Sequence, residues 1–332
     1  MHIRLPDSIP PERRDAAHAA LANSVGATAI ESITRIPAGA TSALLFRVDT
    51  AARPYLLRIE GMPSPLRNPH QYVSQRIAAE AGIAPRLLYL DEDTRLIVTD
   101  FVAHKPLHDY PGGRSALISA LAALLRRLQD TETFPFFVTY PDIVSRLFTH
   151  VRGTGLFADG LLDAHTEHLA RLCEAAPWNS TPLVSSHNDL NAANILFDGE
   201  RLWFIDWESA YRNDPLVDVA VVLDNLANTP ELERAFLQEW YGRALDSESA
   251  ARFATMRALT RLYYAGVLLS ASATRARAVP DGDLAAPTVK EFRSAMRSGQ
   301  IKPRTAESIH LAGKMYLAAF LSDGPVPALD EI

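Results

Sequence analysis

The chain has 332 residues, a net charge of −6 and 48% hydrophobic residues, which fits a globular protein with one large or two ordinary domains. The negative balance argues against a nucleic-acid-binding protein, which would carry a basic face. The single cysteine, Cys173, excludes a disulfide within the chain and favours a reducing compartment. Because we find neither a signal peptide nor a run of about 18 apolar residues, we predict a cytoplasmic protein without a membrane segment.

The first part of the chain, residues 1–102, is predicted to form a small lobe built on a sheet. A short N-terminal helix ends near Gly26. Residues 30–61 are rich in β-branched and aromatic residues and are interrupted by PAGATS and DTAARP, so we predict three strands joined by two turns. Residues 71–82 predict a helix, and residues 86–102 predict a strand hairpin with DEDT as its turn.

The remaining residues, 103–332, are predicted to form a larger and mainly helical lobe. Residues 114–130 show strong amphipathic helical periodicity. Residues 252–272 are apolar on nearly every side, which indicates a buried helix. The predicted fold class is α+β, with a small antiparallel-sheet lobe carrying one helix, a hinge near residues 100–106, and a large helical lobe.

A short stretch in the second lobe concentrates polar side chains that can bind a metal or handle a proton. His187, Asp189 and Asn194 come within one loop, and Asp206 follows a predicted hairpin whose turn is Asp198-Gly199. Carboxylate and amide oxygens suit Mg²⁺. A further carboxylate beside such an ion can accept a proton from a substrate hydroxyl. The alternative is an ordinary polar hairpin with favourable turn residues.

The spacing of these residues matches a kinase catalytic loop. Residues 187–194 read HNDLNAAN, which is the pattern H-x-D-L-x-x-x-N. Together with LWFIDWE at residues 202–208, this stretch resembles the aminoglycoside phosphotransferase and choline/ethanolamine kinase superfamily, a branch of the protein-kinase-like fold. The resemblance covers roughly residues 30–225. It implies a two-lobed enzyme that uses ATP and Mg²⁺ to phosphorylate a small-molecule alcohol.

The resemblance also implies roles for individual residues of this stretch. Asp189 is similar to the catalytic Asp of the family, and Asn194 and Asp206 match its Mg²⁺ ligands. His187 matches the histidine that supports the catalytic loop from within. Asn191 is placed to reach the transferred phosphate, although a solvated turn residue is an equal alternative.

The phosphate-binding part of the small lobe departs from the protein-kinase pattern. The glycine-rich loop is reduced to PAGATS, in which Gly39, Thr41 and Ser42 could cradle phosphates through turn amides and hydroxyls. The usual strand lysine is replaced by Arg58 in YLLRIEG, and an arginine can grip a phosphate through two N–H groups. Choline and ethanolamine kinases look similar at this strand.

The partner of Arg58 and the adenine site are less well defined by the sequence. The helix that should offer an acid has Gln71 at the expected position, and its one acid, Glu80, lies at the wrong end. We therefore expect a hydrogen bond from Gln71 in place of an ion pair. Asp100 and Val102 are the predicted adenine-binding residues of the hinge, through their main-chain groups.

The phosphate acceptor is predicted to be an amino alcohol of choline or ethanolamine type. Glu208, just past the metal-binding Asp, could face a cationic substrate, and Asp218 and Asp224 add negative charge near the same face. The resemblance implies a structural role for Asp218, which falls where the family has an Asp that supports the catalytic loop from a helix. An ammonium group would also need aromatic rings around it. The candidates are Trp207, Tyr211, Tyr263 and Tyr264.

Three other functions remain open at this point. An aminoglycoside-type antibiotic or another small alcohol could be the acceptor. A nucleotide-binding pseudokinase is suggested by Gln71, Arg58 and the glycine-poor loop. A metal-dependent hydrolase would call for a denser acidic or His-rich ligand set than the sequence offers. The sequence predicts neither a nucleic-acid nor a membrane partner, and it leaves the oligomeric state open.

Overall fold

The structure, a computed structural model, describes residues 5–26, 29–37, 43–61, 68–175, 182–243, 245–274 and 279–332. The chain divides into two compact units. The sheet unit consists of Met1–Tyr110 and Ile195–Tyr211, and the helical unit of Pro111–Asn194 and Arg212–Ile332. The predicted lobe boundary at residues 102 and 103 stays a prediction.

The described residues up to Asp100 form a five-stranded antiparallel sheet and two α-helices of the sheet unit. In chain order its elements are α1 (Pro11–Ser24), β1 (Ile30–Ile36), β2 (Leu44–Thr50), β3 (Tyr55–Ile59), α2 (Gln71–Glu80), β4 (Leu87–Asp91) and β5 (Leu96–Asp100). The strands lie in the order β1-β2-β3-β5-β4. The predicted three strands and the following hairpin are therefore confirmed, and so is the α+β fold class.

Strand alternation decides which face of the sheet is buried. On β3, Tyr55, Leu57 and Ile59 are buried, whereas Leu56 and Arg58 are only half-buried. The buried face belongs to a hydrophobic cluster that also includes residues of α1. Because side chains two residues apart lie on the same side of a strand, Arg58 is on the face opposite to this core.

The first part of the helical unit ends in a short strand before the candidate catalytic loop. Its elements are α3 (Gly113–Gln129), α4 (Tyr140–Gly153), α5 (Asp163–Ala175) and β6 (Val184–Ser186). On α3, apolar residues recur with helical spacing and are buried, including Leu117, Leu121 and Leu125. The Thr139 hydroxyl caps α4 by accepting a hydrogen bond from the Asp142 N–H.

The chain then returns to the sheet unit as a hairpin of β7 (Ile195–Phe197) and β8 (Leu202–Phe204). Ile195 pairs with Phe204 and Phe197 with Leu202. The Asp198 carboxylate closes the turn by accepting N–H groups of Glu200 and Arg201, each over 2.8 Å. Gly199 has φ 105°, a conformation that side chains disfavour, so the Asp-Gly turn prediction is confirmed.

The last part of the chain is helical. Its elements are β9 (Tyr211–Asn213), α6 (Leu216–Asn225), α7 (Pro230–Tyr241), α8 (Ser247–Ala273), α9 (Val289–Arg297) and α10 (Ala306–Ser322), with β9 pairing with β6. Short 3-10 helices occur at Leu107–Asp109, Ala192–Asn194, Trp207–Ser209 and Leu329–Glu331. The long α8 packs against α4, α6 and α10, which explains its apolar circumference. Over the described ranges, no helix combines the length and the apolarity that crossing a membrane requires.

Candidate active site

The candidate catalytic loop is anchored from beneath by one carboxylate of the helical unit. Asp218 on α6 is fully buried. Its oxygens accept hydrogen bonds from the Ser186 hydroxyl (2.7 Å), the His187 N–H (2.9 Å) and the Asn188 N–H (2.7 Å). Burial raises the pKa of Asp218, whereas the neighbouring His187 and these hydrogen bonds act in the opposite direction. Asp218 therefore supports the loop and does not face a substrate.

The loop turns sharply immediately before Asp189. Asn188 has φ 63° and is buried, and its side-chain oxygen accepts a hydrogen bond of 2.7 Å from the Asn213 amide. A left-handed residue of this kind is held in place by its surroundings and is common at functional sites. Sequence reasoning missed Asn188 and Asn213. Asparagine tolerates this conformation better than most residues, which was the available indication.

Four predicted site residues meet at the Asp189 carboxylate. Oδ1 accepts hydrogen bonds from the Tyr264 hydroxyl (2.7 Å) and the Asn191 amide (3.0 Å). Oδ2 accepts one from the Asn194 amide (3.0 Å). Asp189 itself is half-buried, and His187 is fully buried two residues before it. The carboxylate is thus fixed in one orientation, as a general base for a substrate hydroxyl needs to be.

Tyr264, which contacts this carboxylate, belongs to a cluster of tyrosines from three helices. The Tyr264 ring lies 5.5 Å from the Tyr263 ring and 6.1 Å from the Tyr316 ring, and the Tyr263 ring lies 5.8 Å from that of Tyr140. Burial, followed by the negative charge of Asp189, raises the pKa of Tyr264 well above its usual value. Of the four tyrosines, Tyr263 is half-buried and the others are buried.

In the sheet unit, Arg58 contacts three carboxylates among the described residues. Its Nε donates to Glu60 over 3.2 Å, and its Nη2 donates to Asp206 over 2.9 Å and also to Glu208. Burial lowers the pKa of the guanidinium, but Asp206, Glu60 and Glu208 more than offset this effect and raise the pKa above its usual value. Arg58 is therefore held as a permanent cation inside an acidic cluster.

The acid that accompanies Arg58 is Glu60, which sequence reasoning missed. Glu60 is 5% exposed, and its Oε2 accepts hydrogen bonds from the Gln71 amide (2.9 Å) and the Tyr72 hydroxyl (2.6 Å). The expectation that Gln71 replaces the ion pair by a hydrogen bond is corrected, because the carboxylate of Glu60 provides that pair and Gln71 donates to Glu60. The position of Glu60 two residues after Arg58, just past the end of β3, was the available indication.

Arg58, Glu60 and Gln71 line a small recess of the sheet unit together with the segment after β8. Asp206 has φ 65° and ψ 69°, another left-handed residue at a predicted site position. Trp207 is buried beside it, and the carboxylate of Glu208 is bound to Arg58. The structure therefore brings two predicted substrate residues, Trp207 and Glu208, next to the arginine.

The donor chemistry of the predicted metal ligands fits Mg²⁺. Because the Asn194 nitrogen donates to Asp189, the amide oxygen is left as the group for a cation. Asp206 supplies a carboxylate, and both are hard oxygen donors. Within the described residues, no group of three or more His, Cys, Asp or Glu side chains is arranged to hold a metal. The dense ligand set expected for a hydrolase is not found there.

The remaining predicted site residues are described to different extents. Gly39, Thr41 and Ser42 lie outside the described residues. The Asp100 N–H donates to the Arg86 carbonyl over 3.0 Å, so it is already used within the sheet. Val102 is half-buried, and Tyr211 is buried at the start of β9.

A sequence model described as "Phosphotransferase enzyme family" matches residues 32–254, which is more than half of the chain. The chain belongs to this family. The predicted family and the predicted α+β fold class are therefore confirmed, and the family is one of phosphotransferase enzymes.

Two curated relatives match shorter segments. An uncharacterized protein of Metamycoplasma hominis is 29% identical over 160 residues, which are 47% of this chain and 30% of the relative. The protein LicA of Haemophilus influenzae is 44% identical over 55 residues, which are 17% of this chain and 20% of LicA. The chain therefore spans less than a third of the length of these curated relatives.

Solved structures of low sequence identity share the fold. A choline/ethanolamine kinase family protein from Mesorhizobium loti has a TM-score of 0.63 at 21% identity, covering 91% of this chain and 98% of its own. Choline kinase LicA from Streptococcus pneumoniae has a TM-score of 0.65 at 13% identity, covering 94% and 99%. A streptomycin–ATP–APH(2″)-IIa ternary complex has a TM-score of 0.54 at 15% identity, covering 79% and 90%.

Proposed function

We propose that this kinase transfers the γ-phosphate of ATP, in an Mg²⁺-dependent reaction, to a hydroxyl group of a small amino alcohol of choline or ethanolamine type. The observation that carries the proposal is the Asp189 carboxylate, which Tyr264, Asn191 and Asn194 hold in one orientation within the HNDLNAAN loop. In phosphoryl transfer the protein mainly positions groups and neutralises charge, so a fixed carboxylate in this loop is the central requirement.

Asp189 accepts the proton of the acceptor hydroxyl as the oxygen attacks the phosphate. The Tyr264 hydroxyl and the Asn191 amide, both on Oδ1, set the direction in which the carboxylate presents its remaining lone pairs. Asp218 keeps the loop backbone in place from below. His187, two residues before Asp189, is buried, and its backbone N–H donates to Asp218.

The family and the available donor groups support a nucleotide and a metal ion as cofactors. Arg58 offers a permanent positive charge for phosphate oxygens, and the related fold of APH(2″)-IIa was solved with ATP. Asn194 and Asp206 are proposed to hold Mg²⁺ through their side-chain oxygens. When bound, the ion neutralises charge on the phosphates. Asp100 and Val102 stay the proposed hinge residues for adenine, through main-chain groups other than the Asp100 N–H, which is used within the sheet.

The tyrosine cluster supports a cationic acceptor better than Glu208 does. Tyr263 is half-buried and its ring packs on that of Tyr264, which contacts Asp189. An amino alcohol whose ammonium group binds over such a ring could place its hydroxyl near the Asp189 carboxylate. Glu208 is instead bound to Arg58. The structural similarity to choline kinase LicA from Streptococcus pneumoniae supports the same class of acceptor.

An ADP-release assay against a panel of amino alcohols and aminoglycosides tests the proposal. We expect choline or ethanolamine to give acceptor-dependent and Mg²⁺-dependent ADP release, and we expect Asp189→Asn to abolish it while nucleotide binding persists. Turnover with aminoglycosides alone would move the acceptor to that class. Nucleotide binding without any acceptor-dependent ADP would indicate a pseudokinase, and hydrolysis without nucleotide would indicate a hydrolase.

A further inference from the structure

Arg58 on β3 pairs with a buried acid that lies just past the end of the same strand. The protein-kinase fold commonly pairs the strand cation with a Glu from the following helix. Here that helix, α2, offers Gln71 near the site, and its acid, Glu80, is exposed at the far end. Glu60 lies two residues after Arg58 and contacts its Nε over 3.2 Å. The charge that the helix lacks is therefore present at the end of β3.

We propose that Glu60 is the positioning residue that orients the Arg58 guanidinium toward the phosphates of the bound nucleotide, in place of a helix acid. This inference rests on the proposed function, because it requires a nucleotide at Arg58. The Nε of Arg58 is bound to Glu60, and the Nη2 to Asp206 and Glu208. Nη1 takes part in none of these three contacts, and we assign this donor to a phosphate oxygen.

Glu60 is better suited to this task than the other two acids. The side chain of Glu60 is 3% exposed, whereas those of Asp206 and Glu208 are 30% and 41% exposed. The Gln71 amide and the Tyr72 hydroxyl both hold Oε2, which leaves Oε1 facing the arginine. A buried carboxylate that is satisfied by several donors keeps its geometry, so it can fix the guanidinium plane. Gln71 then serves as a donor to Glu60.

The direction in which nucleotide affinity changes when the Glu60 charge is removed distinguishes a positioning role from a purely electrostatic one. A carboxylate near bound phosphates repels them, so removal of its charge would tighten nucleotide binding if charge alone mattered. If Glu60 positions Arg58, the same change weakens binding, because the guanidinium can rotate toward Asp206 and Glu208. The two explanations therefore predict opposite changes in the dissociation constant.

The test compares ADP and adenosine binding to the full chain by calorimetry, below the melting temperature of each variant. Adenosine has no phosphate, so it reports on the integrity of the base site alone. We expect Glu60→Gln to weaken ADP binding at least about tenfold, which is the lower limit for the loss of one hydrogen bond to a charged group, and to leave adenosine binding unchanged. Glu80→Gln makes the same chemical change at an exposed position of α2 and is expected to leave both ligands unaffected.

Several results would overturn the inference. The first is that Glu60→Gln binds ADP with at least wild-type affinity. The second is that it loses affinity for ADP and adenosine equally. The third is that Glu80→Gln loses as much ADP affinity as Glu60→Gln. If Glu60→Gln does not fold, Tyr72→Phe removes one donor to Glu60 without changing charge, and we expect a loss of about threefold for ADP only. If the wild type binds ADP and Tyr72→Phe binds it equally tightly, the inference is overturned as well. Wild-type protein that binds neither ligand would overturn the proposed function, and this inference with it.

Discussion

The Tyr264 hydroxyl donates a hydrogen bond of 2.7 Å to Oδ1 of Asp189, across 75 residues of sequence. Both residues belong to the helical unit, and the tyrosine lies in the middle of the long helix α8. Because α8 packs against α4, α6 and α10, the hydroxyl is held by the core of the unit. The orientation of the candidate base therefore depends on a helix that the catalytic motif does not include.

Replacement of Tyr264 by Phe is expected to lower kcat about tenfold with little change in the KM for ATP. The variant keeps the ring and its packing but removes one donor to a charged group, which usually stabilises by about 1.5–3 kcal/mol. Steady-state kinetics with the identified acceptor measures the effect. Tyr263→Phe, the neighbouring change on the same helix, serves as the control, and an equal loss there would contradict the specific role of Tyr264.

Tyr264 also predicts a loss of stability at alkaline pH. Burial and then Asp189 raise its pKa well above the usual value near 10 in the folded chain. The folded state therefore keeps the proton after the unfolded state has lost it. The stabilisation is complete below about pH 10 and decreases at higher pH, by up to about 1.4 kcal/mol per pH unit.

Urea unfolding of the wild type and of Tyr264→Phe at about pH 9 and about pH 11 isolates this contribution. We expect the wild type to lose more unfolding free energy between these two pH values than the variant does. Parallel pH profiles for the two proteins would show that the phenol of Tyr264 titrates normally in the folded state.

Local sequence patterns predicted the elements and the catalytic loop because their determinants are close in sequence. The alternation on β3, the Asp198-Gly199 turn and the HNDLNAAN spacing each lie within a few residues. The contact of Tyr264 with Asp189 and the pairing of Glu60 with Arg58 were not predicted from the sequence, for different reasons. The first contact depends on the packing of α8, and in the second the family pattern predicts an acid on the helix, whereas the acid lies two residues after Arg58.

Glu208 was predicted to face a cationic substrate, but it is bound to Arg58. We expect Glu208→Gln to change the affinity for ADP and to leave the KM for the acceptor within about twofold, because an exposed ion pair contributes little beyond its own partner. Calorimetry with ADP and acceptor-dependent kinetics measure the two parameters. A selective increase in the acceptor KM would restore the original prediction.

Asp218 is expected to be essential for the stability of the catalytic loop. In Asp218→Asn, one oxygen that accepts N–H or O–H groups becomes an NH₂ group, so at least one buried donor loses its acceptor. We expect a loss of unfolding free energy of about 2–4 kcal/mol and a large loss of kcat. Urea unfolding checks the first effect, and wild-type stability in the variant would show that Asp218 does not anchor the loop.

Asp224 was predicted to add negative charge to the substrate face, and the structure corrects this. Its carboxylate binds Arg261 through two hydrogen bonds of 2.8 and 3.1 Å, and Arg257 through one of 2.7 Å. The Arg261 side chain is only 3% exposed, so its charge needs this partner. The negative charge of Asp224 is therefore neutralised inside the helical unit.

Asp224→Ala is expected to lower the unfolding free energy by about 3–5 kcal/mol, because it leaves buried arginine charges without their main partner. The control is Glu233→Gln, which removes the more exposed acid bound to Arg257 and should cost less than about 1 kcal/mol. Urea unfolding with equal m-values in all three proteins makes the comparison valid. Similar losses in both variants would mean that the buried pair of Asp224 and Arg261 contributes no more than a surface ion pair.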